Sequence, residues 1–254
     1  MSYYRNPPYR AHGAGIGFPA LTPVVRAIMI ACGVVWGIQV VLSWFQVEQP
    51  FSQLFGLVPA RVVFGSDGLP VPHVWQPFTY LWLHSSRDPF HILLNMLFVW
   101  MLGSDLERHW GGRAFLQFYL VTGVGAGLFI TLGGWLSPDP AAATIPTVGA
   151  SGAVYGLTAA FGMIFSQRII LFMMIFPMRA RTFAWIMFGV SFFFTWTHSA
   201  GPVSHIAHLG GAIVGYLYVK KAWRVQPLID ELRWKLRRRR FKVMPPKDDD
   251  PWIH

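Results

Sequence analysis

Ser151 stands between two glycines in Val148-Gly149-Ala150-Ser151-Gly152-Ala153-Val154-Tyr155-Gly156, at the head of an apolar stretch with no charge until Arg168. A serine hydroxyl is a weak nucleophile until a base takes its proton, and a neutral imidazole suits that role near neutral pH. The strongest candidate base is His208, in Ser204-His205-Ile206-Ala207-His208-Leu209-Gly210-Gly211. His208, Gly211 and Gly215 lie on one helical stripe, whereas the residue three beyond His205 is His208 itself, so His205 reads as structural. Attack on a carbonyl creates an oxyanion that needs fixed donors. The Ser151 backbone N–H, at a helix start, can supply one. His91 and Asn95, four residues apart on one helix face, can supply two more. Neither apolar segment around Ser151 or His208 contains Asp or Glu, which points to a Ser-His dyad rather than a triad.

Competing chemistries fit less well. There is no H-E-x-x-H, and His205 and His208 lack an acidic third ligand, so no metal is expected. A soluble-hydrolase elbow needs G-x-S-x-G after a strand, but here the second glycine position is Ala153. Paired intramembrane aspartates are absent, and no charge at mid-span suggests a transporter.

The elements that must position these residues are apolar helices. The chain is 54% hydrophobic and only 13% charged, with a mean hydropathy of +0.41. Residues 27–47, 114–138, 140–167 and 182–219 carry no Asp, Glu, Lys or Arg, and the last run is long enough for two passes of about 20 residues each. The expected fold is therefore an all-α polytopic membrane protein with spans at about 27–47, 89–104, 114–134, 148–167, 182–196 and 204–219. Small residues carry the packing. Gly152 and Gly156 form one stripe and Gly211 and Gly215 another, so the fourth and sixth spans should meet there. Gly149 should serve the tight approach to Ser151. Residues 48–88, rich in Pro and aromatics, read as a loop in the membrane interface that includes His73 and His84, and His198 reads as an interface residue too. The apolar tract after Arg168, ending at Pro177, is too short to span. Cys32 is the single cysteine, so no internal disulfide is expected, and the 27–47 tract does not read as a cleavable signal.

Charge fixes the expected orientation. Eight arginines (Arg5, Arg10, Arg26, Arg108, Arg113, Arg168, Arg179 and Arg181) fall on one side of a six-span arrangement, and only Arg61 and Arg87 on the other. Eleven further Lys and Arg follow from Lys220 onward, so both termini should be cytoplasmic. Residues 1–25 read as a flexible basic arm, 26–222 as the membrane domain and 223–254 as a basic tail. In the tail, Leu228, Leu232 and Leu236 beside Arg237-Arg238-Arg239-Arg240 suit two states equally: an amphipathic helix on anionic headgroups, or a solvated anchor for topology. That cytoplasmic run accounts for most of the net charge of +10 without nucleic-acid binding.

At these residues the chain resembles the rhomboid family of intramembrane serine proteases. The matching features are His91-x-x-x-Asn95, Gly149-x-Ser151-Gly152 with Tyr155, and Ala207-His208-x-x-Gly211-x-x-x-Gly215, with Leu102-Gly103, Glu107 and Gly111 also similar. The resemblance covers about residues 50–220. It implies a six-helix bundle with a water-accessible cavity, Ser151 as nucleophile, His208 as base, Asn95 and His91 at the oxyanion, and Tyr155 packed on the His208 ring. It also implies transmembrane helices as substrates, cut beside small residues where they unwind, in a plasma or bacterial inner membrane, without a cofactor. The alternative is an inactive rhomboid-like protein that binds or escorts membrane clients, against which retention of Ser151 and His208 counts. Two features depart from the pattern: Trp75-Gln76 stands where many members have Trp-Arg, and the His84–His91 interval is longer than usual.

Overall fold

The computed structural model describes residues 19–66, 68–172, 175–197 and 202–221, with side chains of the last segment from His205 onward. Residues 1–18 of the expected N-terminal arm, the basic tail and His198 lie outside the described residues, while residues 23–25 at the end of that arm already belong to α1. The chain divides into a unit ending at Tyr216 and a second beginning at Leu217, of which only residues 217–221 are described.

Six apolar helices dominate: α1 (Pro23–Trp44), α5 (Pro89–Trp110), α6 (Gly112–Leu136), α7 (Ser151–Ile164), α8 (Ala180–Trp196) and α9 (Pro202–Val219). Three short helices, α2 (Glu48–Phe55), α3 (Pro59–Phe64) and α4 (Gln76–Thr79), fold the segment between α1 and α5. Among the described residues, α1, α5 and α6 are long and apolar enough to cross a membrane by length and composition, and α7 and residues 205–219 form shorter apolar helices.

Helix limits follow local chemistry. Pro23 opens α1, and Glu107 of α5 caps it, accepting from Val24 N (3.0 Å), Val25 N (2.9 Å) and Thr22 Oγ1 (2.5 Å). A carboxylate there satisfies amides that have no intrahelical partner and complements the helix dipole. The cap starts α1 four residues before the charge-free run. At the start of α5, Asp88 accepts from Phe90 N at 3.0 Å and Pro89 holds the first turn. The helix then runs past the expected limit at residue 104 to Trp110, because its polar end is satisfied. Asp105 pairs with Arg108 at 2.6 Å and with Arg168 at 2.7 Å.

That second ion pair joins the C-terminal end of α5 to the chain just beyond α7. At the opposite end His91 approaches Gly149, just before α7, so α5 and α7 run in the same direction. The α7 helix has 14 residues, about 21 Å of rise, and residues 152–158 are buried without a break. It is a short central rod wrapped by its neighbours, with Ser151 at its first position. The helical expectation needs one addition. Residues after Arg168 form an antiparallel hairpin, β1 (Ile169–Phe172) with β2 (Phe176–Arg179), in the register Ile169↔Arg179 to Phe172↔Phe176.

The α6 helix carries glycines on two sides. A Cβ at Gly127 would lie 3.1 Å from the side chains of Leu57 and Tyr80, and one at Gly134 2.6 Å from Pro59, so the interhelical segment seats on α6. On the other side a Cβ at Gly125 or Gly133 would meet Val214 (2.8 Å) or Ile206 (2.7 Å), which brings α9 against α6. Small residues here let backbones approach closely.

Candidate active site

Residues 149–151 form a bend held from outside α7. Gly149 has φ +125°, a backbone state side chains disfavour, and its N–H donates to the Tyr80 carbonyl at 3.0 Å. Tyr80 is fully buried and its hydroxyl donates to the Gly123 carbonyl of α6 at 2.7 Å. Leu57 and Thr147 exchange backbone hydrogen bonds of 2.9 and 2.8 Å, fixing the same approach. The α7 helix therefore starts abruptly at Ser151, which is half-buried, and its first amides point out of the helix end without intrahelical acceptors.

The space beside Gly149 is chemically defined. A point at the Cβ position would lie 2.8 Å from His91 Nε2 and 4.0 Å from Ser151 N. His91 Nδ1 accepts from Ser85 N at 3.2 Å, so in the neutral ring the proton sits on Nε2, the nitrogen facing that space. Asn95 is buried, and its Nδ2 donates to the His91 carbonyl at 2.7 Å, which commits one of the two amide hydrogens to its own helix. His91 and the Ser151 amide thus lie around one small space beside Gly149, with Asn95 one turn along α5 from His91.

Glycine contacts set the relation between α7 and α9. A Cβ at Gly211 would overlap the Gly152 carbonyl, and one at Gly215 would lie 2.8 Å from Gly156 Cα and O. The two stripes face each other in parallel, Gly152 opposite Gly211 and Gly156 opposite Gly215. Gly152 and Gly156 are confined on α6 as well, by Ala126 (2.5 Å) and Thr122 (2.6 Å). At this crossing the His208 ring stacks on Tyr155, centroids 4.2 Å apart and planes 6° from parallel. His208 Nδ1 makes no hydrogen bond among the described residues. His205 belongs to a different contact: it stacks on Phe194 of α8 at 5.0 Å and meets the His208 ring edge-on at 5.7 Å.

Sequence reasoning missed several supports. His73 and His84, expected in the interface, are 1% and 0% exposed. His84 donates its backbone N–H to Gln39 of α1 at 2.9 Å, and its ring centroid lies 5.3 Å from that of His91. Burial, then the positive charge His91 can carry, pushes its pKa down to about 4. Trp36 Nε1 of α1 donates to the Ser85 carbonyl at 3.0 Å, so the long His84–His91 interval is pinned by α1. Gln76 is fully buried and acts as a neutral bracket, accepting from Val58 N (2.9 Å) and donating to the Gln53 carbonyl (3.0 Å). Tyr80 carried no signal at all: a tyrosine carbonyl positions the bend at Gly149, and nothing in a side-chain pattern reports that.

A bundle of apolar helices, with buried polar side chains around a short buried helix, is the architecture of a membrane-embedded protein. The model of the Rhomboid domain matches residues 71–225, more than half of the chain, and the chain belongs to the rhomboid family. It is similar to Rhomboid protein 1, mitochondrial, of Saccharomyces cerevisiae (29% identical over 154 residues, 59% of this chain and 42% of that protein). It is also similar to Rhomboid-like protein 11, chloroplastic, of Arabidopsis thaliana (33% over 155 residues, 58% and 52%) and to Rhomboid protease AarA of Providencia stuartii (28% over 153 residues, 56% and 54%). The chain spans about half the length of these curated relatives. Family membership and the apolar helices make it an integral membrane protein.

Proposed function

We propose that the chain is an intramembrane serine endopeptidase acting on transmembrane helices through a Ser151–His208 dyad. Ser151 Oγ attacks the substrate carbonyl carbon and its proton passes to the His208 imidazole. The carbonyl oxygen becomes an oxyanion in the gap beside Gly149, where the Ser151 amide and His91 Nε2 supply donors and the free Asn95 amide hydrogen assists. Collapse of the intermediate breaks the peptide bond, the leaving amine takes the proton from His208, and an acyl-serine remains. Water, deprotonated by His208, then releases the second product and restores the serine. Gly149, Gly152, Gly211 and Gly215 bring the backbones close enough for this, and Tyr155 holds the imidazole plane. The observation that carries the reading is the joint geometry of the α7–α9 glycine crossing and the parallel Tyr155–His208 stack.

Substrates are transmembrane proteins whose helices unwind near small residues, and no cofactor takes part. The arginine distribution supports six spans with both termini cytoplasmic, in a plasma or bacterial inner membrane. The test is co-reconstitution of the protein with a model single-span substrate. Cleavage is expected with the wild type and lost with Ser151→Ala. Equal cleavage by the two proteins overturns the assignment, and a folded wild type that captures substrate without cutting it favours the inactive, client-binding alternative.

A further inference from the structure

The hairpin between α7 and α8 has no place in the catalytic reading, and its composition is unusual for a two-stranded ribbon. Residues Ile169 to Met178 are ten consecutive apolar side chains. A hairpin with one face on a core and one in water alternates apolar and polar, and a lone two-stranded sheet is marginal in water. Here Ile169, Ile175 and Phe176 are 64%, 69% and 57% exposed. Yet the base is fixed: Ala180 N donates to the Arg168 carbonyl at 2.8 Å, Arg181 N to the Ser166 carbonyl at 3.2 Å, and Phe172 packs on Phe183 of α8 at 5.6 Å.

Cations ring that base. Arg168 is held by Asp105, while Arg179 and Arg181 are exposed. The strands extend about 13 Å from it. The ribbon is two-stranded, so its outer edges carry unpaired backbone groups that the hydrocarbon core does not tolerate. Pro177 removes one such donor. Apolar faces exclude water as the surroundings, open edges exclude the bilayer centre, and the basic collar selects negative charge at headgroup level. We infer that the β1–β2 hairpin is a membrane-dipping element that inserts into the headgroup–acyl boundary of an anionic leaflet, with Arg179 and Arg181 on lipid phosphates. The inference requires a membrane-embedded chain and does not depend on the Ser151–His208 dyad.

Cys32 is the single cysteine and is fully buried, so a thiol-reactive spin label on Ile175→Cys reports the hairpin alone. The full chain is reconstituted in phosphatidylcholine vesicles with and without phosphatidylglycerol. Collision of the label with oxygen, which partitions into lipid, is compared with collision with a water-soluble nickel chelate. The expected result is oxygen-dominated relaxation at a depth of about 5–10 Å below the phosphates. Insertion deepens with phosphatidylglycerol, and that shift is lost in Arg179→Gln/Arg181→Gln. Nickel-dominated relaxation in both lipids overturns the inference, as does a depth indifferent to phosphatidylglycerol. Shielding from both reagents that disappears when the protein is diluted in lipid overturns it too, since a second copy of the chain then covers the hairpin.

Discussion

Gly149→Ala isolates the gap in which the oxyanion is proposed to form. The new methyl would sit 2.8 Å from His91 Nε2 and 3.0 Å from its Cε1. Ordinary non-bonded contact needs about 3.5 Å, so the imidazole must withdraw by roughly 0.7 Å. Nδ1 of that ring is tied to Ser85 N and the approach to Gly149 is tied to Tyr80, so neither side yields freely. At φ +125° an alanine is also strained, by about 1–3 kcal/mol. A displacement near 1 Å, or loss of one oxyanion donor, each lowers turnover by about a hundredfold or more. The expected outcome is kcat down by roughly 10²- to 10³-fold on a reconstituted single-span substrate, with a modest drop in the thermal midpoint and little change in KM. Wild-type kcat in a folded Gly149→Ala protein would refute the assignment of this gap to the oxyanion.

Four further outcomes follow from the same geometry. Gly211→Ala drives a methyl into the Gly152 carbonyl and should destabilise the protein by about 1–3 kcal/mol in thermal or denaturant unfolding and abolish cleavage. Gly189→Ala on α8, where a Cβ meets nothing within 4 Å, should do neither, and equal damage from both would discredit the helix-crossing argument. His208→Ala should eliminate cleavage, whereas His205→Ala, which removes a stack on Phe194, should retain part of it; the reverse order means the base has been misassigned. Asn95→Ala should lower kcat by about ten- to a thousandfold with the fold intact, and an unchanged kcat removes Asn95 from the oxyanion set. His84, with its folded pKa near 4 against the ordinary histidine value of 6.5, binds fewer protons in the native state between those pH values. Stability should therefore be full above pH 6.5 and fall progressively toward pH 4, by roughly 3 kcal/mol from this group. Acid unfolding of His84→Gln should lack that component, and an identical pH profile would contradict the burial account.

Much of the candidate site was legible because its parts are expensive inside an apolar helix. A serine between glycines, a histidine above a glycine stripe and a His-Asn pair one turn apart have no cheap alternative pattern, and helical spacing alone puts each on a defined face. Segment limits were less legible. The charge-free run 140–167 hides a helix of 14 residues, because hydropathy does not register that Gly149 adopts positive φ and that its amide is held by Tyr80. Continuous apolar tracts give no period, so the hairpin after Arg168 could be judged too short to span but not recognised as strands. His73 and His84 looked interfacial because they lie among prolines and aromatics. Their burial depends on partners such as Gln76 and the distant Gln39, a relation that exists only in three dimensions. The polar end of α5 was cut short for a similar reason, since Glu107 and Asp105 are satisfied by α1 and by Arg168.

The central claim is that Ser151 is made nucleophilic by His208 inside the bundle. Covalent labelling by a fluorophosphonate probe in detergent, followed by peptide mass spectrometry, reads this without a substrate. The account predicts one adduct, on Ser151, formed by the wild type, absent in Ser151→Ala and greatly slowed in His208→Ala. An adduct on another serine, or labelling of Ser151 at an unchanged rate in His208→Ala, would contradict it.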